Sequence, residues 1–293
     1  MMLINIQIVD NMKMLCWNSI EAPRYPTPMP SPFDYQTLLT RLVGDHVLLV
    51  TLNRPDTLNA MNAQMAAEGY DLLERLRTDP GAVRVVVVHG AGRAFSSGAD
   101  LKDRAGHTRD DWIRLHGLAE RTTELRVDCP VPWIAAVHGA CYAGGLEMAL
   151  TCDFIYAERD ARFALTECQL GLIPGTMGTQ TLSRAVGERR AKELILGARV
   201  FTAEEAHQWG MVNEVCEPGT VVDQALAAAA RIAACAPLAV RQAKKAIHHG
   251  LQTDLHTGYR FELEAWYRLL DTQDRHEGVA AFVEKRPPRF QGC

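Results

Sequence analysis

Cysteine pairs of the kind that build disulfide frameworks or zinc sites are missing from this sequence. Its eight cysteines stand at positions 16, 129, 141, 152, 168, 216, 235 and 293, and none forms a Cys-x-x-Cys pair. A structural zinc site usually needs such a pair. Scattered cysteines are typical of small buried side chains in a reducing compartment. We therefore expect no metal site and a cytoplasmic protein.

Long apolar runs and a surplus of basic charge are missing too. The most apolar runs, such as 85–88 and 132–137, fall far short of the roughly 20 residues that a membrane-spanning helix needs. The formal net charge is −4, so no overall field attracts nucleic acid or an anionic membrane. We expect neither a membrane nor a nucleic acid as a partner.

Three motifs known from other enzymes are incomplete in this sequence. The stretch Gly90-Ala-Gly-Arg-Ala-Phe95 begins like a dinucleotide-binding turn, but Phe95 stands where the third glycine belongs. Ser96 and Ser97 lie outside any Gly-x-Ser-x-Gly elbow, so no acyl-enzyme serine is indicated. Cys168 has no histidine nearby in sequence that would activate it as a nucleophile.

The beginning of the chain differs from the rest in composition. Five prolines lie between Pro23 and Pro32, and proline resists both helix and sheet. No basic segment precedes a long apolar one, so the start does not resemble a signal peptide. We predict a flexible extension over residues 1–36, a catalytic core over 37–200 and a helical region over 201–293.

From residue 46 onwards, short apolar runs alternate with stretches of helical periodicity. Strands are predicted over 46–52, 83–89, 133–137 and 154–157, and helices over 60–76 and 109–126. The valine-rich run at 83–89 is typical of a parallel strand that is covered on both faces. This alternation favours an α/β fold with right-handed crossovers. After Gly187 we expect helices alone.

The strongest chemical signal lies between Ala140 and Thr179. A predicted strand enters the turn Ala143-Gly144-Gly145 and a helix follows, which leaves N–H groups free at the positive end of the helix dipole. Glycine there lets a carbonyl group approach the backbone closely. A second turn, at Gly98-Ala99, offers another N–H group. Two such donors that converge on one oxygen form an oxyanion hole.

Two acids accompany this turn. Glu147 falls in the first turn of the predicted helix, where the dipole favours a carboxylate. Glu167 follows the apolar run 163–165, and partial burial should raise its pKa. Either residue alone could be an ordinary helix-end or salt-bridged acid. Together they suit an acid and a base that share one water molecule, as the addition of water to a polarised double bond requires.

Several separated motifs resemble the enoyl-CoA hydratase/isomerase, or crotonase, superfamily in that family's order. The match runs from about residue 39 to 291 and includes LNRP at 52–55, FSSGADL at 95–101, AGGLE at 143–147, LGLIPG at 170–175, GTQ at 178–180 and EKRPPRF at 284–290. The resemblance implies a spiral of ββα units and a C-terminal helical region that builds homotrimers, usually paired into homohexamers. GADLKDRA and the C-terminal ending look most like methylglutaconyl-CoA hydratase and its relatives, some of which also bind RNA.

The resemblance also implies an activity, namely hydration of a 2-enoyl-CoA to a 3-hydroxyacyl-CoA. The N–H groups of Ala99 and Gly144 would hold the thioester oxygen, while Glu147 and Glu167 would hold and activate water. We favour Glu167 as the proton donor to C2 because we expect it to be the more buried acid. The acyl-CoA substrate would lie along the segment Ala99-Asp100-Leu101-Lys102. No metal or redox cofactor is implied, because coenzyme A is part of the substrate.

Two alternatives remain open from the sequence. Isomerase, racemase or decarboxylase chemistry on an acyl-CoA would depend on only one glutamate, and an RNA-binding homologue would depend on neither. Thr176-Met177 stands where the family often has small residues, so we expect a methionine close to the acyl pocket. The acyl group itself is not identified by the sequence.

Overall fold

The computed structural model describes residues 33–293 of the chain. The predicted extension over 1–36 therefore lies almost entirely outside the described residues. The strands are β1 (Leu38–Val43), β2 (Val47–Leu52), β3 (Val85–Gly90), β4 (Ala94–Ser96), β5 (Trp133–Val137), β6 (Ala140–Tyr142), β7 (Phe154–Glu158), β8 (Arg162–Ala164), β9 (Phe201–Thr202) and β10 (Glu214–Cys216). The α-helices are α1 (Ala63–Thr78), α2 (Leu101–Arg104), α3 (Arg109–Val127), α4 (Gly144–Leu150), α5 (Gly178–Val186), α6 (Glu188–Leu196), α7 (Ala203–Gln208), α8 (Val221–Ala233), α9 (Pro237–Gly250), α10 (Leu255–Tyr267) and α11 (Gln273–Glu284).

The strands form two sheets, and each repeating unit contributes one strand to each sheet. The larger sheet has six strands in the order β1-β2-β3-β5-β7-β10, and the smaller has four in the order β4-β6-β8-β9. Each pair β3 and β4, β5 and β6, and β7 and β8 therefore gives its first strand to the large sheet and its second to the small one. A helix follows each pair, which is the predicted spiral of ββα units.

Alternating side chains of the large sheet enter two separate hydrophobic cores. In β3, Val86 and Val88 face the core that lies between the sheets, while Val85 and Val87 face the core under α8. All four side chains are at most 1% exposed. Strands covered on both faces read as unbroken apolar runs, which confirms the interpretation of the valine run.

The expectation that strands end at Gly187 is wrong. Strand β9 pairs antiparallel with β8, and β10 pairs parallel with β7. These strands are only two and three residues long, too short to show the alternation on which strand prediction rests. Helix α8 also belongs to the core, because it buries Val221, Ala225 and Ala229 against the large sheet.

The basic, proline-rich C-terminal tail is tied to its own chain. The buried carboxylate of Asp274 accepts hydrogen bonds from the N–H groups of Gln291 (2.6 Å) and Gly292 (2.8 Å). Arg286 forms a two-pronged ion pair with Glu277, which lowers the pKa of that carboxyl to about 2. These contacts stabilise the tail along α11.

Residues 33–293 contain no single helix with the length and apolarity that a bilayer crossing requires. Helices α8 and α9 meet those criteria when they are counted as one segment, but they are bent by 107° relative to each other. The match rests on length and composition only.

The contact that positions the site is a close approach of α4 to β4. A Cβ atom on Gly145 would lie 2.5 Å from the carbonyl oxygen of Ser96 and 2.8 Å from its Cβ. Real side-chain atoms do not approach backbone that closely, so only glycine permits this packing. The first turn of α4 is thereby held against the end of β4.

We expect Gly145→Ala to destabilise the protein by about 1–3 kcal/mol, because backbone must move to admit one methyl group. The matched control is Gly117→Ala in α3, where an added Cβ would meet only Arg121 Nη1 at 3.8 Å. That change should leave stability unchanged or raise it by up to about 1 kcal/mol through helix propensity. Urea unfolding of both variants measures the difference, and equal midpoints would contradict the packing argument.

Candidate active site

A cavity of about 660 Å³ opens beside the start of α4. It lies between α1, α3 and the face of the large sheet that points towards the small sheet, and the loop after β8 closes one side. The lining residues nearest the predicted chemistry are Met61, Ala99, Gly144, Glu147, Glu167 and Thr176. All four predicted catalytic residues therefore face one cavity, although they come from three separate segments.

The two predicted oxyanion donors lie next to each other. A Cβ placed on Gly144 would be 3.8 Å from the backbone nitrogen of Ala99. Gly144 is the first residue of α4, where N–H groups have no partner within the helix. Ala99 forms an isolated bridge with Met61 that uses the Gly98 carbonyl and the Asp100 N–H group. The ladder thus leaves the N–H group of Ala99 itself unused.

The backbone is strained at Ala143, and the neighbouring Gly98 leaves space for the Ala143 side chain. Ala143 has φ +49° and ψ −128°, a conformation that costs an L-residue about 1–3 kcal/mol and occurs mainly at functional sites. Gly98 has φ +95°, and a Cβ on it would lie 2.8 Å from the Cβ of Ala143. The two turns can therefore meet only because residue 98 lacks a side chain.

Glu147 is buried and held by three hydrogen bonds. Its Oε1 accepts from the N–H groups of Thr176 (2.7 Å) and Gly178 (3.0 Å), and its Oε2 accepts from the Thr176 hydroxyl (2.6 Å). Only 4% of the residue is exposed. Because all three partners donate to its oxygens, they fix the orientation of this carboxyl group.

Glu167 has the opposite surroundings. It begins a short 3-10 helix over Glu167–Leu170, and its Oε2 is buried with no hydrogen-bond partner among the described residues. Burial, with a further contribution from the charge of Glu147, raises the pKa of Glu167 to about 7. The raised value confirms the predicted direction of the pKa shift. The expectation that Glu167 is the more buried acid is wrong, because Glu147 is buried whereas Glu167 is only partly buried. Near neutral pH the site therefore holds a substantially protonated carboxyl group at Glu167 beside the hydrogen-bonded carboxyl group of Glu147.

The enoyl-CoA hydratase/isomerase family model matches residues 43–293. The chain belongs to that family. The Bacillus subtilis protein YngF, which is named for the same family, is 40% identical over 257 residues that cover 87% of this chain and 98% of YngF. The crystal structure of the Bacillus anthracis enoyl-CoA hydratase matches with a TM-score of 0.86 at 39% identity, over 88% of this chain and 100% of that one. The Mycobacterium smegmatis enoyl-CoA hydratase matches with a TM-score of 0.81 at 33% identity, over 87% and 99%.

Only two of the four residues in the predicted substrate-binding segment of this family member line the cavity. Ala99 and Leu101 line the cavity, whereas Asp100 and Lys102 do not. The Asp100 carboxylate pairs with Arg54 at 2.9 Å and accepts hydrogen bonds from the N–H groups of Lys102 and Asp103. Asp100 thus caps α2 and stabilises the turn that presents Ala99.

Sequence reasoning missed the role of Thr176 and misplaced that of Met177. The Thr176 hydroxyl holds Glu147, whereas Met177 is 36% exposed and does not line the cavity. Met177 instead is the N-cap residue of α5, with φ +72°. The methionine that does reach the site is Met61, whose Cε would lie 2.9 Å from a Cβ on Gly144. No sequence signal pointed to it.

No group of three or more histidine, cysteine, aspartate or glutamate side chains in residues 33–293 is arranged to hold a metal ion.

We expect the carboxyl group of Glu167 to titrate near pH 7 in the intact protein. Glu147→Gln should lower that pKa, because it removes a negative neighbour, but should leave it above the ordinary value, because burial is the larger cause. Infrared titration of the carboxyl C=O band, with Glu167→Gln as the reference, measures both values. A wild-type midpoint near the ordinary glutamate pKa of about 4.3 would contradict the burial argument.

Proposed function

We propose that this chain hydrates a 2-enoyl-CoA thioester to the corresponding 3-hydroxyacyl-CoA. The observation that carries the proposal is the pair of carboxyl groups with opposed surroundings, Glu147 and Glu167, beside two free backbone N–H groups in one cavity. Membership of the enoyl-CoA hydratase/isomerase family supports the same reaction class. An isomerase would require only one of these acids.

The N–H groups of Ala99 and Gly144 would receive the thioester oxygen. Charge accumulates on that oxygen as water attacks C3, and donors fixed by the backbone stabilise it without having to reorganise. The loss of one such donor typically costs about 2.7–4 kcal/mol of transition-state stabilisation. The strained turn at Ala143 and the close packing at Gly145 keep the Gly144 donor in place.

The two glutamates would divide the proton transfers. Glu147, ionised, takes one proton from the water whose oxygen bonds to C3. Glu167, protonated, gives a proton to C2 as the enolate collapses. Afterwards Glu147 carries a proton and Glu167 does not, and exchange with solvent restores both. A pKa near the working pH suits Glu167 for this task.

We also infer that the protein works as a homotrimer or homohexamer. Helices α9, α10 and α11, with the residue that directly follows α9, carry a group of large exposed apolar side chains, here called the C-terminal apolar surface: Ile247, Leu251, Leu255, Tyr259, Trp266, Tyr267, Phe282 and Val283. Leu255 is 91% exposed. Exposed apolar side chains in such a number are typical of interfaces between subunits.

The cysteines of residues 33–293 are free thiols, which supports a cytoplasmic location.

Replacement of either glutamate should abolish most of the activity. We expect Glu147→Gln and Glu167→Gln each to lower kcat for crotonyl-CoA by roughly 10²–10⁴-fold, the usual contribution of an acid–base catalyst. Loss of the enoyl-thioester absorbance measures the rate. Glu120→Gln is the matched control, because this exposed acid forms an ion pair with His116 and has no part in the proposed proton transfers, so its replacement should leave kcat unchanged.

Two outcomes of this experiment would contradict the proposal. If both glutamine variants lose less than about tenfold, the paired-acid mechanism is wrong. If the wild type binds crotonyl-CoA without hydrating it, the cavity serves another acyl-CoA reaction, and isomerisation is then the first to be assayed.

Leu255→Asp should lower the oligomeric state, because it places a charge on the C-terminal apolar surface. Size-exclusion chromatography with light scattering should show a trimer or hexamer for the wild type and a smaller species for the variant. Leu39→Asp on β1, 46% exposed and outside that surface, is the control and should change nothing. A monomeric wild type would refute the inference.

A further inference from the structure

Arg126 is a buried cation with no anionic partner. It lies in the last turn of α3 with only 6% of its surface exposed. Its Nη1 donates to the hydroxyl of Thr151 at 3.2 Å, and its Nε has no partner among the described residues. No carboxylate in residues 33–293 forms an ion pair with it. A guanidinium group is always charged in proteins, so this charge lacks its counter-ion.

The acidic groups that interact electrostatically with Arg126 are two thiols, and neither can serve as that counter-ion. They belong to Cys129 and Cys152. Burial raises the pKa of both thiols, that of Cys152 to about 12. They are therefore neutral at physiological pH. An unpaired buried charge is strongly unfavourable, and an anion that enters beside Arg126 would relieve that cost.

Arg126 faces the same cavity as the catalytic groups. The cavity is lined by Gly144 and Glu147 near the start of α4, and by Arg126, which contacts Thr151 just after the end of that helix. Its walls are mainly apolar, as an acyl chain requires. Arg126 thus places a charge in a pocket that would otherwise suit a hydrocarbon tail.

The length of helix α4 gives the approximate distance between the oxyanion donor at Gly144 and Arg126. Gly144 begins the helix and Thr151, the partner of Arg126, directly follows it. Seven helical residues at 1.5 Å each separate these points by roughly 10 Å along the axis. An acyl chain whose thioester oxygen sits at Gly144 would reach Arg126 only if the chain were of medium length.

We propose that Arg126 binds a carboxylate at the far end of the substrate's acyl chain. This inference rests on the proposed function and names its substrate class: 2-enoyl-CoA thioesters of medium-chain dicarboxylic acids. A planar guanidinium group binds a carboxylate through two parallel hydrogen bonds. The Nη1 contact with Thr151 orients the group, so Arg126 is a specificity-determining residue and takes no part in the proton transfers.

The test compares two substrates that differ only at the far end, 2-hexenoyl-CoA and 2-hexenedioyl-CoA. The wild type should show at least tenfold higher kcat/KM for the dicarboxylic substrate. Arg126→Met should lower kcat/KM for that substrate by on the order of 10²-fold, as the loss of a buried charge partner does, and should leave the value for 2-hexenoyl-CoA nearly unchanged. Arg104→Met is the matched control. Arg104 also lines the cavity but stacks on Trp112, so its loss should affect both substrates equally.

Two results would overturn the inference: a wild type without preference between the two substrates, or an Arg126→Met variant that loses activity equally on both. The wild-type comparison needs no variant, so it decides the question even if Arg126→Met fails to fold.

A binding experiment separates this inference from the proposed function. Calorimetry with the saturated thioesters hexanoyl-CoA, hexanedioyl-CoA and octanedioyl-CoA requires no turnover. A dicarboxylic preference that Arg126→Met removes, in a protein that hydrates neither enoyl substrate, would support the role of Arg126 and reject hydration. Hydration of 2-hexenoyl-CoA with equal binding of all three saturated thioesters would support hydration and reject the role of Arg126.

Discussion

The contact between the first turn of α4 and the end of β4 is the constraint on which the whole site depends. Gly145 lies so close to Ser96 that no side chain fits between them. The same approach brings Gly98 against Ala143 and places the N–H group of Gly144 beside that of Ala99. The two donors therefore owe their convergence to the packing of one helix on one short strand.

Electrostatics in the cavity depend on how each charged group is solvated. Glu147 and Glu167 are the same side chain, yet one accepts three hydrogen bonds from the protein and the other has a buried oxygen with none among the described residues. Burial alone would disfavour charge on both. Both oxygens of Glu147 accept hydrogen bonds from the protein, whereas burial raises the pKa of Glu167 to about 7. Arg126 is a further buried charge in this cavity, and no carboxylate among the described residues compensates it.

Much of the fold was predictable because the local signals agree with the tertiary structure. The valine run of β3, the strand Trp133–Val137 and the glycine turn before α4 each carry their own signature, and the motif order indicated the ββα spiral. Strands β9 and β10 were not predictable, because two or three residues carry no periodicity and pair only where the rest of the sheet is already formed. The role of Thr176 was hidden for a similar reason, since its partner Glu147 lies 29 residues away.

The sequence by itself determined which chemical groups are present: two glycine turns, two acids and the motif order of the enoyl-CoA hydratase/isomerase family. It could do so because turns, caps and helix starts depend on residues that are neighbours in the chain. Only the tertiary structure decided which acid accepts three hydrogen bonds, that Asp100 and Lys102 lie outside the cavity, and that Met61 rather than Met177 reaches it. It also decided that Arg126 has no carboxylate partner among residues 33–293. Each of these properties is set by burial and by contacts between distant segments, which exist only once the chain has packed.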